Sequence, residues 1–238
     1  MGIKIKIDGK EITAQHGEML LRVAKRAGID IPALCEDDNL EPYGVCRLCL
    51  VEIIAGKRKR VTASCTYPVL EEVEVLTDSE KIRNLRRLAI ELLLARCWTN
   101  KKMREIAAKY GVHDTRFPKE EEDCILCGLC ERYCREVVGA NALGFSSRGP
   151  ERKVGTPLEK PSEACIGCGS CAWICPTQCI EYEEKDGRRR IWDKEFRMLK
   201  CKKCGKYTWT IEERDFFIKK TGLPTDKFNL CLDCRNGE

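Results

Sequence analysis

The sequence predicts an α+β chain of several small modules, and three observations support that prediction. Alternating and helical apolar patterns succeed one another within the first 80 residues. Cysteine accounts for 18 of the 238 residues, and most of these fall in tight C-x₂-C groups. One cysteine pattern occurs twice, about 41 residues apart, which indicates an internal duplication. We therefore expect four segments, at residues 1–80, 81–117, 118–182 and 183–238.

The first segment, residues 1–80, combines strands with one helix. Its opening strands alternate apolar and polar side chains around Asp8-Gly9, a dipeptide typical of a two-residue hairpin turn. The run EMLLRVAKRA has helical spacing and is followed by Gly28, which suits the end of a helix. The strand-like runs LVEII, KRVTASC and VEVLT come next. This order predicts a small α+β domain.

The second segment, residues 81–117, is predicted to be a helical connector. Thr77 and Glu80 have the spacing of a capping box that opens a helix. Apolar residues of one helix face then follow at helical spacing: Ile82, Leu85, Leu88, Leu92 and Leu93. We expect a break in the helix near the sequence WTN.

Four cysteines of the first segment have the spacing C-x₁₀-C-x₂-C-x₁₅-C: Cys35, Cys46, Cys49 and Cys65. One loop carries three of them, and a distant strand end carries the fourth. Gly44 and other small loop residues let backbone N–H groups face thiolates and sulfides, as an iron–sulfur site requires. A zinc site is the alternative for this set.

The third segment, residues 118–182, holds two runs of C-x₂-C-x₂-C-x₃-C, the spacing with which bacterial ferredoxins bind 4Fe–4S clusters. In two-cluster ferredoxins the fourth cysteine of each run binds the cluster of the other run. Carried over to this sequence, one cluster (cluster a) takes Cys124, Cys127, Cys130 and Cys175. The other (cluster b) takes Cys134, Cys165, Cys168 and Cys171. Pro176 follows the second run, as in those ferredoxins, whereas Arg135 follows the first.

The fourth segment, residues 183–238, carries a final set with the spacing C-x₂-C-x₂₆-C-x₂-C: Cys201, Cys204, Cys231 and Cys234. Two C-x₂-C pairs of thiolates suit tetrahedral Zn²⁺ in a small zinc-ribbon-like module. The first half, CKKCGKYTW, also resembles a rubredoxin, which binds a single iron in the same geometry. A further 4Fe–4S cluster and mononuclear iron therefore stay open as alternatives to zinc.

Short stretches around these cysteines resemble the G-subunit family of complex I (the NADH dehydrogenase iron–sulfur family), which includes the diaphorase U subunit of NAD-linked hydrogenases and the N-termini of large iron-only hydrogenases. IPALCEDDNLEPYGVCRLCLVEI and ASCTYPV resemble the 2Fe–2S domain of that family. REVVGANALGFSSRG and CPTQC resemble its 4Fe–4S region. The resemblance covers roughly residues 1–95 and 118–182. It implies a β-grasp 2Fe–2S ferredoxin domain, with the four cysteines of the first segment as ligands, and a bacterial-type two-cluster 4Fe–4S ferredoxin domain.

The sequence departs from this family in the helical connector. There the family carries a His-Pro-x-x-Cys-x-x-Cys…Cys site for a further 4Fe–4S cluster, whereas this stretch offers only Cys97 and His113. Two candidate ligands cannot hold a cluster, so we expect that cluster to be absent, with Cys97 in a helix core and His113 exposed at a helix end. Cys179 stands where the family has alanine. We expect a small buried residue there, with a ligand or redox role as the alternative.

Composition and local sequence argue against several classes of protein. The run MGIKIKIDGKEI has no apolar core of a signal peptide, and LAIELLLA is too short for a transmembrane helix. We therefore expect a cytoplasmic chain whose cysteines bind metal instead of forming disulfides. The formal charge of +5 counts every cysteine as neutral. With thiolate ligands around three clusters and one zinc ion it falls to about −3, so the basic balance does not indicate nucleic acid.

Three iron–sulfur clusters imply the transfer of single electrons. The sequence has no G-x-G-x-x-G dinucleotide loop, flavin motif or active-site motif of an iron-only hydrogenase, so we expect a non-catalytic relay subunit. The resemblance implies two partners, an FMN subunit that acts on NAD(P)H and a thioredoxin-like 2Fe–2S subunit. Beyond them we expect a hydrogenase, a molybdenum or tungsten enzyme such as formate dehydrogenase, or ferredoxin, and serving both ferredoxin and NAD(P)H would permit electron bifurcation. The alternatives are a stand-alone polyferredoxin and an Fe–S/Zn regulator that binds nucleic acid.

Overall fold

The computed structural model describes residues 2–236 of the chain, which divides into two compact units, Met1–Cys127 and Gly128–Glu238. Residue 1 and residues 237–238, at the ends of the first and fourth predicted segments, lie outside the described residues. Both units contain helices and sheet, in agreement with the predicted α+β class. Within residues 2–236, no helix is both long enough and apolar enough to span a bilayer.

The first unit is built around a five-stranded sheet. Its strands are β1 Gly2–Ile7, β2 Lys10–Gln15, β3 Leu50–Ala55, β4 Arg58–Ala63 and β5 Glu74–Leu76. They lie in the order β2-β1-β5-β3-β4, in which β1 and β5 are parallel and the other neighbours antiparallel. The predicted hairpin is confirmed, because Asp8 and Gly9 join β1 to β2 with left-handed φ angles of 47° and 85°.

The core of the first unit combines side chains of this sheet with those of helix α1, Leu20–Arg26. Among the buried residues are Ile5, Ile7, Leu20, Val23, Ile53 and Val75. Alternate residues of β1 are buried because successive side chains of a strand point to opposite faces. Each side chain of this size stabilises the fold by about 1.5–3 kcal/mol when fully buried. Gly28 follows the helix with a φ of 73°, as the sequence predicts for the residue that ends it.

Helices α2, Glu80–Arg96, and α3, Lys101–Ala108, belong to the first unit, and the predicted break between them is confirmed. The predicted capping box is wrong. Ser79, not Thr77, accepts the hydrogen bond from the backbone N–H at the start of α2. The Thr77 hydroxyl is already engaged, because it donates to the carboxylate of Asp8 in the β1–β2 turn.

The buried face of α2 differs from the predicted one. Ile82, Ile90 and Leu94 are buried, but Leu92 is 49% exposed, and the charged Arg86 takes an inward position. A guanidinium at such a position needs polar partners. The partners of Arg86 are the carbonyls of Leu48, in the loop of residues 31–49 (the cysteine loop), and of Leu50, at the start of β3.

The second unit begins with short helical segments and ends in a sheet with two further helices. Its helices are α4 Leu129–Arg132, α5 Ser170–Ile174, α6 Ile211–Thr221 and α7 Leu232–Asn236, and a π-helical turn at Tyr133–Val138 follows α4. A small antiparallel sheet pairs β6 Gly144–Ser146 with β7 Lys153–Gly155. A second antiparallel sheet, in the order β11-β10-β9-β8, contains β8 Tyr182–Lys185, β9 Arg188–Ile191, β10 Lys194–Lys200 and β11 Tyr207–Thr210. Short 3₁₀ turns along the chain lie at Ser64–Thr66, Gly149–Glu151, Pro157–Glu159 and Thr225–Asn229.

Helix α6 contacts β10 and β11 and starts in a capping box. The Thr210 hydroxyl accepts the N–H of Glu213, and the Glu213 carboxylate accepts the N–H of Thr210. The same carboxylate lies 3.5 Å from the buried guanidinium of Arg189. Burial nevertheless raises the pKa of Glu213 to about 6.

Candidate metal centres

The four cysteines of residues 1–80, Cys35, Cys46, Cys49 and Cys65, are buried and form two close pairs. The Sγ atoms of Cys49 and Cys65 are 3.3 Å apart. Cys46 donates its backbone N–H to Sγ of Cys35 at 3.4 Å. A 2Fe–2S cluster has two irons with two cysteine ligands each. The pairing therefore fits that group better than a single tetrahedral ion.

Contacts within each pair shift the pKa values of its two thiols in opposite directions. The hydrogen bond between Cys49 and Cys65 lowers the pKa of Cys49 to about 7, and the interaction with Cys35 does the same for Cys46. The pKa values of Cys35 and Cys65 are raised by the same two interactions and by burial. One sulfur of each pair is thus readily available as a thiolate, the form that binds metal.

Gly44 allows the cysteine loop to fold closely against the 3₁₀ turn that carries Cys65. Its φ is 73°, and a Cβ there would lie 2.9 Å from Thr66 Cγ2 and 3.8 Å from Cys65 Sγ. A larger residue would be strained in this conformation and would push the loop away from the fourth cysteine.

Arg86 of α2 holds the same loop from the other side. Its Nε donates to the carbonyl of Leu48 at 3.0 Å, and its Nη2 donates to the carbonyl of Leu50 at 2.8 Å. These two residues flank Cys49. Arg86 as a whole is 8% exposed, and burial lowers the pKa of its guanidinium. Arg86 therefore fixes the backbone on both sides of a predicted ligand.

In the second unit, cysteines from both ferredoxin-like runs line one cavity: Cys134, Cys165, Cys168 and Cys171. The rest of its lining is mostly apolar and includes Val138, Leu143 and Ile191. Cys134 is turned toward it by the π-helical turn, and its Sγ accepts the N–H of Ala142 at 3.3 Å. Thiolates and N–H donors around an apolar space are the surroundings that an iron–sulfur cluster requires.

The loop that carries Cys165 and Cys168 is fixed by two basic side chains. Lys194 donates to the carbonyls of Ser162, Glu163 and Cys165 at 3.0, 3.4 and 2.9 Å. Arg189 donates to the carbonyl of Gly167 at 2.7 Å. Gly167 has a φ of 70°, and a Cβ there would lie 2.7 Å from the ring of Phe196, so the loop packs closely on β10.

The four predicted ligands of cluster a lie in loops and short helices. Cys124 is half-buried and Cys127 is buried, Cys130 lies in α4, and Cys175 directly follows α5. Their grouping around one cluster stays a prediction. Cys179, predicted to be a small buried residue, is only half-buried, and its Sγ lies 3.6 Å from that of Cys175.

The last four cysteines converge on one point. The Sγ atoms of Cys201, Cys204, Cys231 and Cys234 all lie within 4.8 Å of one another. Those of Cys204 and Cys231 are 3.7 Å apart. Four sulfur atoms placed tetrahedrally at about 2.3 Å from Zn²⁺ are about 3.8 Å from each other. The arrangement therefore fits a single four-coordinate metal ion.

Backbone N–H groups at this site favour the thiolate form of Cys201, which is the form that binds a metal cation. The N–H groups of Cys204 and Cys231 lower the pKa of Cys201 to about 6, whereas a hydrogen bond with Cys231 raises that of Cys234 to about 12. Trp209 donates its indole N–H to the carbonyl of Leu230 at 3.2 Å and packs edge-on against Phe228. These contacts join the two halves of the site.

Cys97 is fully buried, as predicted, but it directly follows α2 and pairs with Glu121 in an isolated β-bridge instead of lying within a helix. His113 is exposed, as predicted, but it lies in the loop after α3 and not at a helix end. Sequence reasoning missed the side chains that support the cysteines, namely Arg86, Arg189 and Trp192. An arginine at an apolar position of α2 was the available signal for Arg86. Arg189 and Trp192 contact residues that are distant in the chain, so no local sequence pattern indicates their role.

Comparison with known protein families gives matches at both predicted cluster regions. Residues 1–80 match the family described as 2Fe-2S iron-sulfur cluster binding domain. Residues 159–181 match the 4Fe-4S binding domain family. A 2Fe–2S domain, a 4Fe–4S domain and a further four-cysteine site are therefore present on this one chain.

Several curated proteins are similar to most of this chain. The G 2 subunit of NADH-quinone oxidoreductase from Rhizobium meliloti is 31% identical over 85% of the chain. The alpha subunit of NADPH-Fe(3+) oxidoreductase from Geobacter sulfurreducens is 32% identical over 80% of it. The 78 kDa subunit of mitochondrial NADH-ubiquinone oxidoreductase from Candida albicans is 27% identical over 80% of it. The chain covers 27%, 25% and 30% of these relatives, respectively, so it spans about a quarter to a third of their length.

One solved structure shares the arrangement of much of the chain. It is the crystal structure of an NAD⁺-reducing [NiFe]-hydrogenase in the H₂-reduced state. The match has a TM-score of 0.56 at 26% identity, and it covers 65% of this chain and 75% of the hydrogenase chain.

Proposed function

We propose that the chain is a non-catalytic subunit that relays single electrons in an NAD(P)H-linked oxidoreductase. The iron–sulfur region of this chain belongs to the family of the complex I G subunit and of the diaphorase subunit of NAD-linked hydrogenases. When bound, the iron–sulfur clusters supply one-electron carriers. The observation that supports this proposal most is the cavity in which Cys134 of the first run meets three cysteines of the second.

The proposed cofactors are one 2Fe–2S cluster, two 4Fe–4S clusters and one zinc ion. The two thiol pairs of the first unit support a 2Fe–2S cluster held by Cys35, Cys46, Cys49 and Cys65. The shared cavity supports cluster b, and the ligand set of cluster a rests on the ferredoxin spacing. Convergence of four sulfurs within 4.8 Å supports zinc at Cys201, Cys204, Cys231 and Cys234.

The protein's part in such a relay is to hold its cysteines in place and keep water away. Arg86 and Gly44 shape the loop of the first unit, and Arg189 and Lys194 shape that of the second. Fixed N–H donors and a mostly apolar lining lower the structural rearrangement that a change of charge requires. These residues therefore suit repeated one-electron transfer.

The proposed partners follow from the relatives. Their names refer to NADH, NADPH and NAD⁺, which supports a neighbouring FMN subunit that acts on NAD(P)H, with a thioredoxin-like 2Fe–2S subunit beside it. On the far side we propose a hydrogenase, a molybdenum or tungsten enzyme, or ferredoxin, with electron bifurcation where ferredoxin and NAD(P)H are both served. Nucleic acid is not among the proposed partners.

Two finer structural assignments belong to the same proposal. The sheet order β2-β1-β5-β3-β4, with β1 parallel to β5, supports a β-grasp fold for residues 1–80. The convergent cysteines beside β10, β11 and α7 support a zinc-ribbon-like module at residues 183–238. Residues 81–117 would then be the connector and residues 118–182 the two-cluster ferredoxin domain. The proposed location is the cytoplasm, where reducing conditions keep cysteines from forming disulfides and so leave them available as ligands.

The proposal is tested by expressing the full chain from its native promoter and purifying it anaerobically. We expect a flavoprotein to co-purify, and NADH or NADPH to reduce the iron–sulfur signals seen by EPR. Cys168→Ser should interrupt this reduction at cluster b. Cys97→Ala should leave the reduction unchanged, because Cys97 lies outside all four proposed ligand sets.

Two results would refute the assignment in favour of its alternatives. A monomer that exchanges electrons with unrelated enzymes, without a bound flavoprotein, would be a stand-alone polyferredoxin. Salt-dependent binding of nucleic acid, together with the absence of NAD(P)H-linked reduction, would identify a regulator.

A further inference from the structure

The turn between β9 and β10 brings an indole to a predicted cluster ligand. Trp192 Nε1 donates to Sγ of Cys171 at 3.4 Å, and the ring lines the cavity of cluster b. We propose that Trp192 raises the reduction potential of cluster b through this hydrogen bond. The inference rests on the proposed function, because it requires a cluster at that site.

The backbone of this turn is unusual for the residues that form it. The register of β9 and β10 leaves only Trp192 and Asp193 between the strands, with φ angles of 52° and 56°. Two-residue turns with two left-handed positions strongly favour asparagine and glycine. A bulky residue in this conformation persists where its surroundings hold it, and such residues cluster at functional sites.

The surroundings that hold Trp192 belong to the cluster-b cavity. Its indole packs against a buried group that includes Cys171, Ile191 and Phe196. The ring is half-buried, with its N–H directed at sulfur instead of water. The strained turn is therefore coupled to a contact with a ligand atom.

Residues after the start of β8 form further hydrogen bonds to the backbone segments that carry the cluster-b cysteines. Thr210 donates its hydroxyl to the carbonyl of Ile166 at 2.6 Å, between Cys165 and Cys168. Lys220 of α6 donates to the carbonyl of Val138 at 2.7 Å, at the end of the π-helical turn that carries Cys134. Together with the bonds from Arg189 and Lys194, these contacts fix the indole relative to the loops that it faces.

The sign of the effect follows from charge. Reduction adds one negative charge to a cluster and its thiolates, and an N–H donor at a ligand sulfur stabilises that added charge. Removing the donor therefore lowers the potential. The Cys134 sulfur takes its hydrogen bond from a backbone N–H, whereas the donor to Cys171 is a side chain that substitution can remove.

The test compares Trp192→Phe with Trp173→Phe in the full chain by EPR-monitored redox titration. Phenylalanine keeps an aromatic ring but has no N–H. We expect Trp192→Phe to raise the oxidised-to-reduced ratio of cluster b about tenfold at a fixed potential, a fall of about 59 mV for one electron. Trp173 lies on the ligand-bearing helix α5 but is 83% exposed, so its replacement should leave the potential unchanged. The signal of cluster b is the one that Cys168→Ser removes.

A second readout does not depend on the variant's folding. With ¹⁵N-labelled tryptophan, pulsed EPR of reduced wild-type protein should detect an indole nitrogen coupled to cluster b, and Trp173→Phe should retain it. The absence of that coupling, or an unchanged potential in Trp192→Phe with both 4Fe–4S clusters present, would overturn the inference alone. Wild-type protein with fewer than two 4Fe–4S clusters would overturn the proposed function and the inference with it.

Discussion

Replacing Arg86 by methionine removes the guanidinium that holds the cysteine loop of the first unit. Methionine keeps much of the apolar stem but can donate no hydrogen bond. The carbonyls of Leu48 and Leu50, bonded to Arg86 at 3.0 and 2.8 Å, would lose these donors on either side of Cys49. The substitution therefore tests whether a buried charge on α2 supports the metal site.

The size of the effect follows from the two lost bonds. A hydrogen bond from a charged donor contributes about 1.5–3 kcal/mol, so the pair contributes about 3–6 kcal/mol before offsets. Burial lowers the pKa of Arg86, which means that the desolvated charge has a cost that methionine avoids. We therefore expect a net loss of about 3 kcal/mol in the free energy of unfolding of the first unit. For a unit of this size the loss corresponds to a fall of roughly 10 °C in Tm.

The assay follows the visible circular dichroism of the 2Fe–2S site during thermal unfolding of the full chain. Arg87→Met is the matched control, because Arg87 is the next residue on α2 but is 63% exposed and lies 3.8 Å from Glu91. An exposed ion pair of this kind contributes about 0–1 kcal/mol. Equal Tm values for the two variants would refute the role given to Arg86.

Three further predictions concern the second unit. Cys134→Ser should damage the EPR signal of cluster b, which Cys168→Ser also removes, and spare the signal of cluster a, which depends on Cys124. Damage to the cluster-a signal alone would contradict the exchange of fourth ligands between the two runs. Cys231→Ser should abolish zinc binding at the C-terminal site, measured by metal analysis, and lower the Tm of that module by more than 5 °C on the order-of-magnitude scale of structural zinc sites; retained stoichiometric zinc would contradict it. Glu213→Gln should remove a pH dependence of stability, because the pKa of Glu213 is raised from 4.5 to about 6 in the folded chain. The contribution of Glu213 to the free energy of unfolding is therefore fully present below about pH 4.5, and about 2 kcal/mol of it is lost as the pH rises through 6. The wild-type chain should lose that stability relative to the glutamine variant over this range, and parallel unfolding curves at all pH values would contradict the assignment.

Local sequence patterns correctly predicted the turns and helix ends whose conformation depends on neighbouring residues. The Asp8-Gly9 turn, the glycine after α1 and the break before α3 each depend on a few neighbouring residues. The capping box failed for an instructive reason. The spacing of Thr77 and Glu80 is correct for a box, but the Thr77 hydroxyl is bound by Asp8, which is 69 residues away in the chain.

Spacing likewise identified the cysteines, while their environment required the structure. The C-x₂-C and C-x₃-C spacings named all four cysteines of the convergent C-terminal site and all four cysteines that line the cluster-b cavity. Two hydrogen-bond donors support these sites from a distance in the chain. Arg86 lies 37 residues after Cys49, and Trp192 lies 21 residues after Cys171. No periodic pattern connects residues that far apart, because folding alone brings them together.

We propose that this chain holds three iron–sulfur clusters for electron transfer and one zinc ion. The measurement that tests it most directly is iron, sulfide and zinc analysis of the anaerobically purified chain, combined with an EPR-monitored redox titration. We predict about ten iron atoms and about one zinc per chain, with one 2Fe–2S and two 4Fe–4S signals that each take up one electron. About fourteen iron atoms without zinc would contradict the C-terminal zinc site, and about six or fewer would contradict the two 4Fe–4S clusters on which the relay depends.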